Sequence, residues 1–101
     1  MENTVDATFS KDTGTGLVLV DFSADWCGPC HALHPLLLEL EKEMKKVKFL
    51  ELDVDSNPVI AQQFMVMSIP TLVLFQNGKQ VSRLIGLRGK AELKSWIETY
   101  L

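Results

Sequence analysis

The sequence predicts an α/β protein with a central mixed β-sheet flanked by helices on both faces. A strand–helix–strand pattern over residues 17–54 predicts a right-handed βαβ unit with parallel strands. Asn77 and Gly78 lie between two strand-like runs and are a strong signal for a hairpin, and therefore for an antiparallel pair. Apolar residues at helical spacing near the C-terminus predict a final amphipathic helix.

The βαβ unit begins with residues 17–22, a nearly continuous apolar run that is typical of a strand covered on both faces. The helix is predicted from residue 29 to about residue 46, and we expect a kink at Pro35, which removes one backbone hydrogen bond. Residues 49–54 form the second predicted strand. The helical spacing is carried by Cys30, Leu33, Leu37, Leu40 and Met44.

The remaining elements follow in chain order. Asn57 is predicted to cap a short helix that starts at Pro58 and reaches about residue 64. Residues 71–75 are predicted as a third apolar strand, and residues 80–85 as the strand that returns after the hairpin turn. Residues 1–16 are predicted to hold a short strand and a helix. The final helix is indicated by Leu93, Trp96, Ile97, Tyr100 and Leu101.

The composition fits one compact domain over residues 1–101, since 47% of the 101 residues are hydrophobic. Two cysteines cannot form the multi-disulfide framework of a small secreted domain. The net charge of −3 argues against nucleic acid as the main partner. No apolar run approaches the roughly 20 residues of a membrane span. Residues 1–4 lack the basic and apolar regions of a signal peptide, so we expect a cytoplasmic protein.

The two cysteines, Cys27 and Cys30, lie three residues apart at the predicted start of a helix. This spacing brings both sulfurs to one face of the helix, where a disulfide can open and close. The partial positive charge of the helix N-terminus favours a thiolate on the first cysteine. The pair therefore predicts a dithiol that exchanges electrons with other disulfides.

Three other interpretations of the cysteine pair are weaker. A static disulfide would close so short a loop that it removes little chain entropy. A zinc site could use Cys27, Cys30, His31 and His34, but tetrahedral closure usually needs a second segment of chain. Residues 27–31 also fit the C-x-x-C-H pattern of covalent haem attachment, although such proteins are mostly helical and exported.

Residues 20–30, which contain the cysteine pair, resemble the active-site region of the thioredoxin family. Several motifs in the same order are more specific than a lone C-x-x-C. The resemblance, which spans residues 17–101, implies the thioredoxin fold and a monomeric protein-disulfide reductase without cofactor or metal. It also implies regeneration by a thioredoxin reductase that draws on NADPH. The further matching motifs are Pro35, residues 52–55, residues 69–71, residues 77–78 and Gly86.

The resemblance implies a role for each residue of the redox site. Cys27 would be the exposed nucleophile that forms a mixed disulfide with the substrate, and the deeper, shielded Cys30 would then attack Cys27. Asp21 would accept the proton of Cys30. Independently of the resemblance, Asp21 is the only charged residue of the strand at 17–22, and desolvation there should raise the pKa of its carboxyl.

The resemblance also implies an apolar docking surface around the nucleophile. A cis bond between Ile69 and Pro70 would face the cysteines, and the backbone of Ile69 would pair with an extended substrate segment. Trp26 could alternatively be a core residue, as we predict for Trp96. The docking surface would consist of Trp26, Gly28, Pro29, Ile69, Pro70 and Gly86.

His31 and Glu51 depart from the commonest family pattern, and His34 is a further ionisable residue of the same helix as His31. His31 stands where the family often has Lys or Arg, and we expect it to be exposed and to tune Cys27 modestly. His34 is expected on the helix surface or in a groove. Glu51 stands where many bacterial members have Lys. If Glu51 points toward Asp21, two carboxylates share one site and one pKa should rise further.

Two functions besides a general protein-disulfide reductase stay open at this point. One is a specialised thioredoxin-like oxidoreductase with a dedicated partner, although Gly28 and Pro29 between the cysteines favour a reductant by resemblance. The other is a partner-binding module in which the cysteines are incidental. Replacing the cysteines with serine would separate these functions, since only a binding module would keep its function.

Overall fold

The computed structural model describes residues 1–101, and its nine elements follow the predicted order of strands and helices. The strands are β1 (Glu2–Asn3), β2 (Leu17–Ser23), β3 (Val47–Asp53), β4 (Thr71–Gln76) and β5 (Lys79–Ile85). The helices are α1 (Phe9–Thr13), α2 (Gly28–Glu43), α3 (Pro58–Gln63) and α4 (Lys90–Glu98). One five-stranded sheet has the order β1-β3-β2-β4-β5, which confirms the predicted mixed sheet.

The central strand is β2, whose seven residues are all buried. It pairs in parallel with β3 and antiparallel with β4. The register places Asp21 between Glu51 on one side and Leu72 on the other. The strand, the βαβ unit and the position of Asp21 in a fully covered strand are therefore as predicted.

Helices α2 and α4 cover one face of the sheet. Side chains alternate along β2, so Leu17, Leu19 and Asp21 point to this face, which we call the α2 face. Trp96 packs half-buried against its core, as predicted, and its indole N–H donates to Ser82 Oγ at 2.9 Å. The core of the α2 face includes Leu33, Leu37, Phe49, Leu72, Leu93 and Ile97.

Helices α1 and α3 cover the opposite face, where Val18, Val20 and Phe22 of β2 point. Three aromatic rings meet there with centroids 5.2 to 5.5 Å apart. Tilted and edge-to-face rings at this distance attract one another in addition to burying area. Helices therefore lie on both faces of the sheet. The three rings belong to Phe9, Phe64 and Phe75.

Helix α2 ends at Glu43, whereas the sequence predicted an end near residue 46. The Met44 N–H donates to the Leu40 carbonyl at 2.8 Å, and the Val47 N–H donates to the Met44 carbonyl at 3.1 Å. The chain must turn here because Val47 is buried and pairs with Leu17, two residues before the predicted start of this strand. The helix continues through Pro35, where the kink stays a prediction.

Helix α3 begins at Pro58 and Asn57 is its N-cap residue, both as predicted, but the Asn57 side chain makes no capping hydrogen bond. The Asn57 side-chain oxygen instead accepts the N–H of Asp6 at 3.0 Å. The Asp6 carboxylate accepts the N–H groups of Val59 and Ile60 at 3.2 and 2.9 Å. Because a carboxylate is favoured at a helix N-terminus, the distant Asp6 takes the place of a local cap.

The predicted hairpin turn is present, with φ of +50° at Asn77 and +86° at Gly78. These values suit Asn and Gly, and β5 returns antiparallel from Lys79, one residue earlier than predicted. The predicted final helix is shorter than the apolar pattern, since Tyr100 and Leu101 lie beyond its end at Glu98. None of the four helices combines the length and the hydropathy that a membrane crossing requires.

Candidate active site

The two cysteines lie where the carboxyl end of β2 passes into α2. They form a disulfide with their Cα atoms 5.3 Å apart. The Cys27 N–H donates to the Ala24 carbonyl at 3.2 Å, which turns the chain before the helix. Pro29 stands in the first turn of α2, where its missing N–H costs no helical hydrogen bond. The local sequence therefore builds the turn that presents both sulfurs.

Cys27 differs from Cys30 in its relation to the helix. It is the N-cap residue of α2, and its Sγ accepts the backbone N–H of Cys30 at 3.2 Å. An N-cap atom that accepts such a bond also lies at the positive end of the helix dipole. Both effects stabilise a thiolate at Cys27 in the reduced form.

The predicted difference in exposure between the two cysteines is wrong for the disulfide form. Cys27 is 4% exposed and Cys30 is 5% exposed. Both pack with Ala24 in a small apolar cluster, against which Val54 and Ile69 lie. The sulfurs are bonded to each other and share this cover, so exposure does not separate them. The distinction between the cysteines depends on the N-cap position.

Asp21 is fully buried, and neither carboxylate oxygen has a hydrogen-bond partner within the protein. Burial first, and then the negative charge of Glu51, raise the pKa of Asp21 to about 7. The raised pKa confirms the expected effect of desolvation, and Glu51 contributes as expected if it points toward Asp21. A carboxyl that changes charge near neutral pH can accept or release a proton there.

A cleft of about 460 Å³ opens on the Cys30 side of the disulfide and is large enough for several water molecules. Cys27 does not line it. His34 lines the cleft, which agrees with the prediction that this residue lies on the helix surface or in a groove. Residues from β2, β3 and α2 thus give Cys30 a polar surface that Cys27 lacks. The polar lining includes Ser23, Asp25, His31, Glu51 and Asp53.

The two histidines near the disulfide face different partners. His31 is exposed, as expected, and its Nε2 lies 2.6 Å from the Asp25 carbonyl oxygen. The Nδ1 of His34 lies 3.6 Å from a carboxylate oxygen of Glu51. The structure contains no group of three or more side chains placed to hold a metal ion.

Ile69, Pro70 and Gly86 are brought together beside the cysteines. Ile69 packs against the apolar cluster of the disulfide, and the Ile69–Pro70 peptide is cis, as expected. The Gly86 N–H donates to the Pro70 carbonyl at 2.8 Å. Gly86 has a φ of +92°, a conformation that a side chain would strain.

Trp26 is 71% exposed, which excludes the alternative that it is a core residue. Its indole N–H donates to the Asp55 carboxylate at 2.8 Å. No pattern in the sequence predicts a role for Asp55. Ser23 pairs with Asp53 in the parallel β2–β3 ladder, which brings the loops after these two strands together. The predicted parallel pairing of the strands could therefore have indicated that Trp26 and Asp55 lie close to each other.

A disulfide between cysteines at the N-terminus of a helix, near a buried carboxyl on a mixed sheet, defines a thiol–disulfide oxidoreductase. The thioredoxin family model matches residues 1–99. The chain belongs to the thioredoxin family, which confirms the resemblance and the fold inferred from the sequence.

Curated relatives agree with this family over most of the chain. A thioredoxin of Chlamydia muridarum is 49% identical over 92 residues, which are 91% of this chain and 90% of that protein. A thioredoxin of Listeria monocytogenes is 46% identical over 97 residues, covering 95% and 94% of the two chains. A bifunctional thioredoxin reductase/thioredoxin of Mycobacterium leprae is 47% identical over 91 residues, which are 87% of this chain and 20% of that protein.

Family membership and the paired cysteines together establish the activity. The chain is an oxidoreductase that carries out dithiol–disulfide exchange through a redox-active pair, Cys27 and Cys30. The exposure expected for Cys27 is corrected by the structure, but this correction does not alter the activity.

Proposed function

We propose that this chain is a general protein-disulfide reductase and that Cys27 starts each cycle. The Cys27 thiolate attacks one sulfur of a substrate disulfide and forms a mixed disulfide. The other substrate sulfur leaves as a thiolate and takes a proton from water. The N-cap position of Cys27, whose Sγ accepts the Cys30 N–H, is the observation that carries this assignment.

In the second step Cys30 gives its proton to Asp21 and attacks the Sγ of Cys27. The Cys27–Cys30 disulfide forms, the mixed disulfide breaks, and the second substrate sulfur leaves as a thiolate. Two electrons have then passed from the dithiol to the substrate. The buried Asp21 carboxyl supports this role because its pKa of about 7 allows proton uptake near neutrality. The cleft admits water to Cys30 and to Glu51, the register partner of Asp21.

The substrate would dock on the surface formed by Trp26, Gly28, Pro29, Ile69, Pro70 and Gly86. Trp26, Gly28 and Pro29 are exposed, so they can meet a partner without rearrangement of the core. Ile69 and Gly86 are half-buried, whereas Pro70 is buried. An extended substrate segment could pair with the backbone of Ile69, which supplies affinity without sequence selection.

A thioredoxin reductase is the proposed source of electrons. The Mycobacterium leprae relative bears the name of both activities, which supports a reductase as the partner of this chain. We further propose that residues 1–101 act as one domain, as a monomer without nucleic acid or membrane partners, and in the reducing cytoplasm. Disulfide reduction is favoured in such a compartment.

Two cysteine variants test the assigned order of attack. Reduced Cys30→Ser protein should accumulate a mixed disulfide on Cys27 when mixed with a disulfide-containing model protein, because the second step is blocked. Cys27→Ser protein is the matched control and should form no such adduct at a comparable rate. Mass spectrometry after an acid quench identifies the adduct. An adduct that forms at Cys30 and not at Cys27 would reverse the proposed roles.

A further inference from the structure

The three most exposed large apolar side chains lie in the two chain segments that flank the disulfide. Met67 is 90% exposed, Met65 is 74% exposed and Trp26 is 71% exposed. Trp26 directly precedes Cys27. Met67 lies two residues before Ile69, which packs against the apolar cluster of the disulfide, so the Cα atoms of Met67 and Ile69 are at most about 7 Å apart. The two methionines therefore continue the proposed docking surface beyond Ile69.

The methionine segment, residues 65–67, is anchored at both ends. The Arg83 guanidinium donates to the Phe64 carbonyl at 2.6 Å, and the Thr71 hydroxyl donates to the Ser68 carbonyl at 2.6 Å. Between these anchors, Val66 packs against the core that lies between the sheet and helices α1 and α3. Because Val66 is directed inward, the methionines on either side of it are presented to solvent in a fixed place.

Met65 occupies a backbone position that usually holds glycine, with a φ of +53°. Its N–H donates to the Gln62 carbonyl at 3.0 Å, and the Val66 N–H donates to the Ala61 carbonyl at 2.9 Å. This pair of bonds forms a Schellman motif at the end of α3, in which glycine would be less strained than methionine. The Met65 side chain buries little area in the core. What it contributes therefore lies on the surface.

Exposure separates the sulfur atoms of the chain into two groups. Cys27 and Cys30 are bonded to each other and are only 4% and 5% exposed. Met44 is 6% exposed in the core of the α2 face, and Met1 is half-buried against the same core. The disulfide form contains no free thiol. An oxidant in solution therefore meets an exposed sulfur at the two methionines of the methionine segment.

We propose that Met65 and Met67 are a modification site at which a peroxide forms methionine sulfoxide, and that this oxidation weakens the docking of substrate beside the disulfide. The thioether sulfur takes one oxygen atom from the peroxide. An S–O bond forms and the O–O bond breaks. The sulfur loses two electrons, and with hydrogen peroxide the other oxygen leaves as water. Methionine sulfoxide reductases reverse this step.

The thioethers suit a protein substrate that presents apolar side chains next to its disulfide. Methionine is unbranched and polarisable, so it adapts to partners of different shape. With the substrate backbone paired to Ile69, its neighbouring apolar side chains rest on Met67. A sulfoxide at Met67 is polar and would lose its water on docking without gaining a partner. The position of the site does not depend on the proposed function, but its effect on exchange rests on the proposed docking surface.

The two redox sites of the chain respond to peroxide in sequence. In the reduced protein the Cys27 thiolate is the more reactive sulfur and consumes peroxide first. Once the disulfide has formed, the exposed thioethers are the sulfurs that remain accessible. Sulfoxide at the methionine segment therefore marks a chain whose dithiol has already been oxidised.

The first test measures where oxidation occurs. The disulfide form is treated with hydrogen peroxide, digested with trypsin and examined by tandem mass spectrometry. We expect Met65 and Met67 to gain oxygen at least about five times faster than Met44. Protein unfolded in denaturant is the control, since all four methionines should then be oxidised at similar rates.

The second test measures docking. After peroxide is removed and the disulfide is reduced with dithiothreitol, the rate of mixed-disulfide formation is measured with a model disulfide protein and with bis(2-hydroxyethyl) disulfide. Oxidation should lower the rate with the protein substrate by about 3-fold to 10-fold. The rate with the small disulfide should fall by less than about 1.5-fold, because that substrate has no side chains to dock.

Three variants assign the effect to the methionine segment. Met65→Leu/Met67→Leu keeps apolar side chains that peroxide does not oxidise, so its rates before and after treatment should agree. Met67→Gln introduces a polar group without peroxide and should already be slow with the protein substrate. Val59→Gln is the matched control: it places the same amide at another exposed apolar position and should react as fast as the original protein.

The outcomes separate this inference from the proposed docking surface, which Trp26→Ala tests by the same rate with the protein substrate. Oxidation of Met44 as fast as Met67 in the folded protein overturns the inference. So does an unchanged rate after oxidation of Met65 and Met67, if Trp26→Ala still slows the reaction. If neither Trp26→Ala nor oxidation slows it, the proposed docking surface is overturned and the effect of oxidation on docking with it. Equal slowing with both substrates also overturns the inference, since docking would not be the cause.

Discussion

The α2 face of the sheet has an apolar region and a polar region, built from the same two strands. Toward the start of β2 and β3, Leu19 and Phe49 pack in a continuous core beneath α2. Toward their carboxyl ends, Asp21 and Glu51 occupy the same face by the same alternation. Leu19 and Asp21 are both fully buried. Leu19 packs among other apolar side chains, whereas the Asp21 carboxylate has no hydrogen-bond partner.

The difference shows how one sheet serves both stability and chemistry. Burial of an apolar side chain stabilises the folded state, whereas a buried carboxylate without a hydrogen-bond partner destabilises it when charged. The same burial gives the carboxyl a pKa near neutrality, which an exposed carboxyl lacks. The stability gained by burying apolar side chains therefore has to offset the stability lost by burying the Asp21 carboxylate. Four substitutions test this contrast.

Phe49→Ala should produce the largest effect because it truncates a large, nearly fully buried side chain in the apolar region. We expect a loss of about 3–5 kcal/mol in the free energy of unfolding. The exchange rate of the protein that remains folded should change little. Chemical unfolding and single-turnover exchange measure the two effects. Val59→Ala, at an exposed side chain, is the control and should change stability by no more than about 0.5 kcal/mol.

Asp21→Asn should instead increase the free energy of unfolding. The pKa of Asp21 is raised from 3.8 to about 7 in the folded protein, so the carboxyl binds a proton there that it loses in the unfolded chain. The cost to stability is therefore absent below about pH 4, grows as pH rises toward 7, and is then constant at roughly 4 kcal/mol. Asp21→Asn should recover up to this amount above pH 7.

Unfolding of both proteins at pH 4 and at pH 8 checks the linkage of Asp21. The stability difference between Asp21→Asn and the original protein should be small at pH 4 and large at pH 8. Equal differences at the two pH values would show that the carboxyl is not neutral in the folded state near pH 6, and would remove the energetic contrast between the two regions.

Asp6→Ala tests a carboxylate that has partners. Asp6 accepts two N–H groups at the start of α3. We expect a loss of about 1–2 kcal/mol in stability. The rate of disulfide exchange should stay the same, because Asp6 itself does not line the cleft beside Cys30. A stabilised Asp6→Ala protein would show that the partnered and unpartnered carboxylates do not differ as described.

Asp55→Ala should have the smallest effect on stability, no more than about 0.5 kcal/mol, because its bond to Trp26 is exposed. The loss of this bond should free the indole, and the fluorescence anisotropy of Trp26 should fall. In a Trp96→Phe background, Trp26 is the only tryptophan and therefore the only source of tryptophan fluorescence. An unchanged anisotropy would mean that Asp55 does not hold Trp26 in place.

The sequence predicted those parts of the fold that local pattern determines. The apolar run of β2, the helical spacing in α2 and the Asn77–Gly78 turn each encode their own structure. The end of α2 was not predictable, because it is set by the pairing of Val47 with Leu17 in another strand. The cap of α3 by Asp6 depends on residues more than fifty positions apart.

The local sequence pattern likewise predicted only part of the candidate active site. The spacing of Cys27 and Cys30 and the isolated charge of Asp21 pointed to redox chemistry directly. The equal burial of the two cysteines comes from their packing with Ala24, Val54 and Ile69, which spacing does not encode. Likewise, the contact between Trp26 and Asp55 requires the parallel register of β2 and β3.

The most direct test of the account is the pH profile of the second step in the original protein and in Asp21→Asn. Rapid mixing of reduced protein with a model disulfide protein, followed by acid quench and mass spectrometry, gives the rate at which the mixed disulfide resolves. We expect this rate to rise with pH through a midpoint near 7 in the original protein, and to be lower and without this midpoint in Asp21→Asn. Identical profiles in the two proteins would contradict it.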